Sequence, residues 1–317
     1  MTARKSAPVR VDARSDGGRA AIPSESGFAT SCDGVRIAYE VYGAGAPTIV
    51  LLPSTPIVHS RQWKGQVPYL SRHYRVITFD GRGNGRSERP TEPAAYTDAR
   101  ITDDIVAVME ATATSRAVLV GLCGDSVWRA VRLAASDPGR LAGIVAFAIG
   151  VPLLSPPHPN RAAVRFEEVL PSYDGWARMN RHYWRTDYPE FARFFFEAIT
   201  TEPHSTKVID DAVEWALDGS VDAMLADADA PSDLDQEGVD PIEAIEAICR
   251  AVTCPLLIVH GTEDHCQPIA RAYRLAELTG APLVVVEGAD HMIPGRHPVI
   301  ANLLIRDFVR SIEVGAS

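Results

Sequence analysis

The chain has 317 residues, 46% of them hydrophobic and 23% charged, a balance foreign to disordered or collagen-like proteins and ample for a large buried core. Its formal net charge of −10 supplies no global positive field for phosphates, which argues against nucleic acid as the main partner. Five cysteines, an odd number without zinc-ribbon spacing, point to free thiols in a reducing compartment, and no run approaches the roughly 18 apolar residues that span a bilayer.

Residues 1–26 are basic without a following apolar stretch, so they do not read as a secretory leader; a mobile tail is expected there. The expectation is a cytoplasmic monomer or homodimer that works on a small molecule, away from nucleic acid and membrane. From residue 28, short apolar runs alternate with helical spacing. VRIAYEVYG (35–43) and PTIVLLP (47–53) read as strands, RQWKGQVPYLSR (61–72) as a helix, and YRVITFD (74–80) as a strand entering the turn-rich GRGNGRS. ARITDDIVAVMEAT (99–112) is helical, RAVLVGL (116–122) is a buried strand, and DSVWRAVRLAASD (125–137) is an amphipathic helix stopped by Pro138 and Gly139. LAGIVAFAIG (141–150) is the next strand. This alternation predicts a mostly parallel sheet with helices on both faces.

After the Pro-rich SPPHPN (155–160) the rhythm changes, and no β-rich run occurs between about 152 and 250. Helical spacing marks YDGWARMNRHYWRTDYPEFARFFFEAI (173–199), TKVIDDAVEWAL (206–217) and PIEAIEAICRAV (241–252), while the acidic 226–240 reads as an exposed loop. Strand–helix alternation resumes with PLLIVHG (255–261), IARAYRLAELTG (269–280), PLVVVEG (282–288) and HPVIANLLIRDFVRSI (297–312). The expected organisation is one α/β core, residues 27–151 and 251–317, split by a helical cap over 152–250.

The run AVLVGLCGDSVW places Cys123 between Gly121–Leu122 and Gly124, at a strand-to-helix turn. Such a turn is strained and needs small neighbours, and the helix N-terminus behind it favours a thiolate. A cysteine is also often a small buried apolar residue. Two later stretches weigh against that: VHGTEDHCQP puts Asp264 after one predicted strand, and EGADHMIP puts His291 after the next. Ends of parallel strands share one edge, where ligands bind. A nucleophile, a base and an orienting carboxylate at three such ends follow the logic of a catalytic triad. No His, Cys and Asp set has metal spacing, GRGNGRS lacks the Lys-Ser/Thr of a phosphate loop, and no cofactor or metal is expected.

With these residues in hand, the chain resembles the α/β-hydrolase fold family over about residues 28–313, through YRVITFDGRGNGRSERP, VGLCGD, LLIVHGTEDHCQP and VVVEGADHMIPGRHP. The resemblance implies Cys123 as nucleophile, His291 as general base and acid, Asp264 as orienting carboxylate, and an oxyanion hole from the N–H of Gly124 with that of Ser54 or Thr55. Three departures stand out. Cys123 takes the usual Ser position, as in dienelactone hydrolases; Asp125 replaces the second elbow glycine; and Pro53-Ser54 replaces a His-Gly pair. His59, Asp125 and Trp184 are further pocket candidates, and the aromatics Trp176, Tyr183, Phe191, Phe194, Phe195 and Phe196 are divided between cap core and pocket roof. The implied activity is hydrolysis or acyl transfer on an ester, lactone or thioester of a small, largely apolar molecule. The alternatives are a lyase or cyclase using His291 and Asp264, and a small-molecule binding protein.

Overall fold

Period-two apolar patterning builds one sheet of eight strands among the described residues: β1 (Glu25–Thr30), β2 (Arg36–Tyr42), β3 (Thr48–Leu51), β4 (Arg75–Phe79), β5 (Ala117–Leu122), β6 (Leu141–Phe147), β7 (Leu256–Gly261) and β8 (Leu283–Val286). The computed structural model describes residues 21–314 except 153, 162–163, 205 and 235–237, so residues 1–20 of the tail expected over 1–26 lie outside the described residues. The strand order is β1-β2-β4-β3-β5-β6-β7-β8; β1, β2 and β4 pair antiparallel and all later neighbours pair parallel.

The helices are α1 (Val67–Leu70), α2 (Asp98–Ala111), α3 (Cys123–Ser136), α4 (Arg181–Ile199), α5 (Lys207–Leu217), α6 (Val221–Ala228), α7 (Pro241–Arg250), α8 (Ala270–Thr279), α9 (Ile293–Arg296) and α10 (Pro298–Val314). Side chains alternate across each strand, so Val50, Leu52 and Leu119 enter one core while Ile49, Leu51, Val118 and Val120 enter the other. All six residues of β5 are buried, as a central parallel strand covered on both faces requires. No helix among the described residues is long and apolar enough to cross a membrane.

Four elements differ from the sequence reading. Strand β1 begins at Glu25, inside the expected tail; Ala29 is its one buried residue, so it shows no apolar period. The expected helix over 61–72 is a 3-10 turn at Ser60–Trp63 followed by the short α1. Gln62 and Trp63 there donate side-chain hydrogen bonds to the Leu52 carbonyl, at 2.9 and 2.8 Å, which ties the segment to the end of β3. Helix α6 takes residues 226–228 from the expected loop. Helix α7, assigned to the cap by its position in the chain, packs on α3 and α8, and its Ile245 and Cys249 belong to the main core. The stretch 152–240 carries helices and no strand among its described residues. Within it, α4 is broken at Asp187 (φ −150, ψ 72), where Pro189 removes a backbone donor and Asp187 accepts from the Glu190 N–H.

The loop GRGNGRS is a structural clamp. Arg82 is fully buried and makes a two-pronged ion pair with Asp104, Nε to Oδ2 at 2.7 Å and Nη2 to Oδ1 at 2.6 Å, and a second pair with Asp33 at 2.7 Å. Asn84 donates to the carbonyls of Pro56, Ile57 and Trp215, which joins this loop to the loop after β3 and to α5. Removing one partner of a buried pair strands the other charge. Asp104→Ala is therefore expected to lower unfolding stability by about 3–5 kcal/mol, read from denaturant melts. A change within experimental error would show that Asp33 alone satisfies Arg82.

Candidate active site

The site grows from the end of β5. Leu122 is extended (φ −126, ψ 135), and the next residue, Cys123, has φ +73 at the start of α3. A non-glycine residue in the left-handed region carries strain of about 1–3 kcal/mol and needs support from its surroundings. Hydroxyls of Ser126 and Ser54 both donate to the Leu122 carbonyl, at 2.6 and 3.0 Å, and pin the residue before the turn. Gly124 then passes against Gly150: a Cβ on Gly150 would lie 2.3 Å from the Gly124 Cα, and one on Gly124 would lie 2.8 Å from the Gly150 oxygen. This contact between the β5–α3 turn and the end of β6 demands glycine on both sides. The backbone of Asp125 lies in α3, but its side chain is outside the described residues.

Asp264 follows β7 and His291 follows β8, and the structure brings both to the edge that carries Cys123. His291 Nδ1 lies 2.9 Å from Asp264 Oδ2 and 3.1 Å from Oδ1. Asp264 Oδ1 also accepts the N–H groups of Cys266 and Gln267, each at 2.8 Å. Burial opposes the carboxylate, but His291, His260 and these N–H groups hold Asp264 below the usual carboxylate range. His260, in β7, is fully buried beside this pair. Its Nδ1 accepts from the Ile149 N–H at 3.1 Å and its Nε2 faces the Gln267 carbonyl at 3.1 Å, which fixes a neutral ring with the proton on Nε2. Burial lowers the pKa of His260 in keeping with that state.

A second sulfur stands beside Cys123. Cys266, two residues beyond Asp264, is turned inward by the hydrogen bonds to Asp264. The Sγ atoms of Cys123 and Cys266 and a ring nitrogen of His291 all lie within 4.8 Å of one another, and all five cysteines are free thiols. Gln267 Nε2 is 3.8 Å from each sulfur, and Arg161 Nη1 is 3.7 Å from that of Cys266. Arg271 orients the Gln267 amide through Oε1 at 2.7 Å. Neither Arg161 nor Arg271 has a carboxylate partner among the described residues.

Two thiols this close are coupled, and one proton can serve both. The hydrogen bond to Cys266, then burial, push the Cys123 thiol up to about 12, while that same hydrogen bond holds Cys266 well below the usual thiol range. The helix N-terminus is therefore not the only influence on Cys123: the low-lying negative charge belongs to the sulfur pair. Burial works against an imidazolium at His291, yet Asp264 and the two sulfurs hold its pKa well above the usual histidine range.

Above this floor is a cavity of about 440 Å3, lined by Ile57, Val58, Leu122, Phe166, Met179, Trp184, Phe191, Phe195, Phe196 and Met224. Ser54 and Thr55 line it beside Cys123 and are buried. The Gly124 N–H lies in the first turn of α3, where no intrahelical acceptor is available. Trp184, a pocket candidate, is in the wall. Trp176, Tyr183 and Phe194 are not among the lining residues; Trp176 packs edge-on against Phe194 and Phe195. His59 corrects one expectation. It caps the turn at Ser60–Trp63, contacts Asp218 at 3.2 Å and lines a separate polar cavity with Asp80 and Arg86.

With this geometry described, comparison with known proteins identifies the family. The chain belongs to the alpha/beta hydrolase fold family, which it matches over residues 47–298, and it is an enzyme of the hydrolase type. It is 29% identical to a non-heme chloroperoxidase of Streptomyces lividans, over 90% of this chain and 100% of that protein. Its fold is similar to that of a bromoperoxidase from Bacillus anthracis (TM-score 0.71, 20% identity, 90% of this chain and 100% of the other). It is likewise similar to that of the enol-lactonase from Burkholderia xenovorans LB400 (TM-score 0.69, 23% identity, 90% of this chain and 100% of the other).

The shared proton has a measurable sign. In the native chain one thiolate forms well below the usual thiol range and stays ionised as pH rises. In Cys266→Ala that step is expected to vanish, and Cys123, freed of its hydrogen bond to Cys266, is expected to titrate below its native value of about 12. Thiolate ultraviolet absorbance and iodoacetamide alkylation against pH read both steps. An unchanged low step in Cys266→Ala would count against a shared proton.

Proposed function

We propose that this hydrolase cleaves an ester, lactone or thioester of a small, largely apolar molecule through a covalent acyl intermediate on Cys123. The observation that carries the reading is His291, held by Asp264 at 2.9 Å on one side and facing the sulfur pair on the other, at the floor of an apolar cavity. Helices α4 and α6 act as the cap that roofs this cavity and excludes water.

The reaction follows from these groups. When the shared proton sits on Cys266, Cys123 is a thiolate, and its sulfur attacks the carbonyl carbon. A C–S bond forms, and the carbonyl electron pair moves to oxygen, which accepts hydrogen bonds from the N–H of Gly124 and that of Ser54 or Thr55. The tetrahedral adduct collapses, the bond to the leaving group breaks, and imidazolium His291 gives that group its proton. Neutral His291 then takes a proton from water, the hydroxide attacks the thioester, and the C–S bond breaks to restore the Cys123 thiolate. Asp264 holds the ring and stabilises its cationic form throughout. Attack by a different acceptor in place of water would give acyl transfer from the same intermediate.

One observation favours a second reading. The hydrogen bond to Cys266 and burial push the Cys123 thiol up, which disfavours its thiolate, while the His291–Asp264 pair is complete without it. In a lyase or cyclase that pair would move protons and Cys123 would only line the cavity.

A panel of p-nitrophenyl esters, lactones and acyl thioesters separates the two. For covalent catalysis, intact mass after brief incubation shows an acyl adduct on the native chain and none on Cys123→Ala, whose turnover falls by roughly 10^3-fold or more. His291→Ala is expected to lose roughly 10^2- to 10^4-fold. Full turnover in Cys123→Ala with loss in His291→Ala would sink the acyl intermediate and favour the second reading.

A further inference from the structure

Cys123, Cys266 and His291 reach the cavity floor from the ends of three strands, and no spacing in the chain announces them as a set. We infer that they form a binding site for a thiophilic divalent cation, with Zn2+ as the ion, and that the bound ion blocks attack by Cys123.

The donor set and its surroundings fit that ion. The two sulfurs and the imidazole nitrogen lie within 4.8 Å of one another, and tetrahedral Zn2+ takes sulfur at about 2.3 Å and nitrogen at about 2.0 Å, which small side-chain rotations satisfy. Two thiolates and an imidazole favour Zn2+ over Mg2+ or Ca2+, which prefer oxygen. The groups that would support these ligands are already in place. Asp264 engages His291 Nδ1 at 2.9 Å, leaving Nε2 for a metal, in the carboxylate–histidine–metal arrangement that orients and strengthens such ligands. The Gln267 amide sits 3.8 Å from both sulfurs and is fixed by Arg271, so a donor to metal-bound thiolates is already placed. Arg161, 3.7 Å from the Cys266 sulfur, and Arg271, which acts on both sulfurs from behind Gln267, add two positive charges against the three negative charges of two thiolates and Asp264.

Three protein ligands leave a fourth position, which opens on the cavity and takes water or a substrate atom. Binding requires both sulfurs as thiolates and His291 neutral at Nε2, so the ion displaces the proton shared by the sulfurs and the one on the ring. The lone pair that Cys123 would give to a carbonyl is then in the metal–sulfur bond. Ion binding and acyl formation exclude each other. The inhibition rests on the reading of Cys123 as nucleophile; the binding does not.

The test is a Co2+ titration of the full chain, followed by thiolate-to-metal charge-transfer absorption, then displacement by Zn2+ and assay of ester turnover. One Co2+ per chain is expected, with a thiolate band that Zn2+ abolishes, turnover that falls as Zn2+ is added, and recovery with a chelator. Cys266→Ser and Cys123→Ala are each expected to bind at least roughly 100-fold more weakly, and Asp264→Asn roughly 10- to 100-fold more weakly. Cys32→Ser, which removes an exposed thiol beside Asp103, keeps the native band. Circular dichroism melts confirm that each variant is folded. No thiolate band, or a band that survives in both Cys266→Ser and Cys123→Ala, overturns the site. A band formed without loss of turnover overturns the block. If the native chain forms the band but turns over no ester, lactone or thioester, the hydrolase reading fails and the metal site stands.

Discussion

The left-handed backbone at Cys123 is the constraint on which the rest of the site depends. A φ of +73 at a residue with a side chain is unfavourable, so the surroundings must hold it. Two hydroxyls fix the Leu122 carbonyl on one side, and the contact between Gly124 and Gly150 closes the other. Gly150 follows β6, and the next parallel strand is β7, whose loop carries Asp264. The turn that presents the sulfur therefore also sets the distance to its partners.

Around that sulfur the protein has arranged positive and hydrogen-bond-donating groups and one deeply buried acid. Asp264 is paired with His291 and accepts two backbone N–H groups, so its charge is fully satisfied without solvent. His260 stays neutral because both ring nitrogens are committed, one to Ile149 and one to Gln267. Its Nε2 also lies 3.4 Å from Asp264 Oδ2, so it supports that carboxylate beside the shorter contact with His291. Gln267, Arg161 and His291 face the sulfurs, so a single negative charge shared by two sulfurs is tolerated in a buried place.

Most of the sheet and the three-strand-end logic of the site were legible in the sequence, because buried parallel strands are continuous apolar runs and the residues after them stand at one edge. The antiparallel β1 escaped, since a strand with one buried residue carries no period. Helix α7 read as part of the cap because chain order says nothing about which core a helix joins; Ile245 and Cys249 settle that by packing. The direction of the Cys266 side chain depends on a turn made by Asp264, not on spacing, so its bearing on the ionisation of Cys123 could not be read from the chain. His59 was expected in the pocket because it lies near the loop after β3, yet capping its own turn commits it to a different cavity.

The break in α4 at Asp187 divides the roof from within. Trp184 lies before it, and Phe191, Phe195 and Phe196 lie after it, so α4 contributes to the roof as two half-helices meeting at one joint, beside Met224 of α6. None of these rings makes a hydrogen bond to the strand ends below. A change of angle or of ring size at that joint reshapes the space offered to a substrate while the bond-making groups keep their mutual distances. Substrate range and reaction type are thus separately adjustable in this chain, one in the pitch of a ceiling and the other in the edge of a sheet.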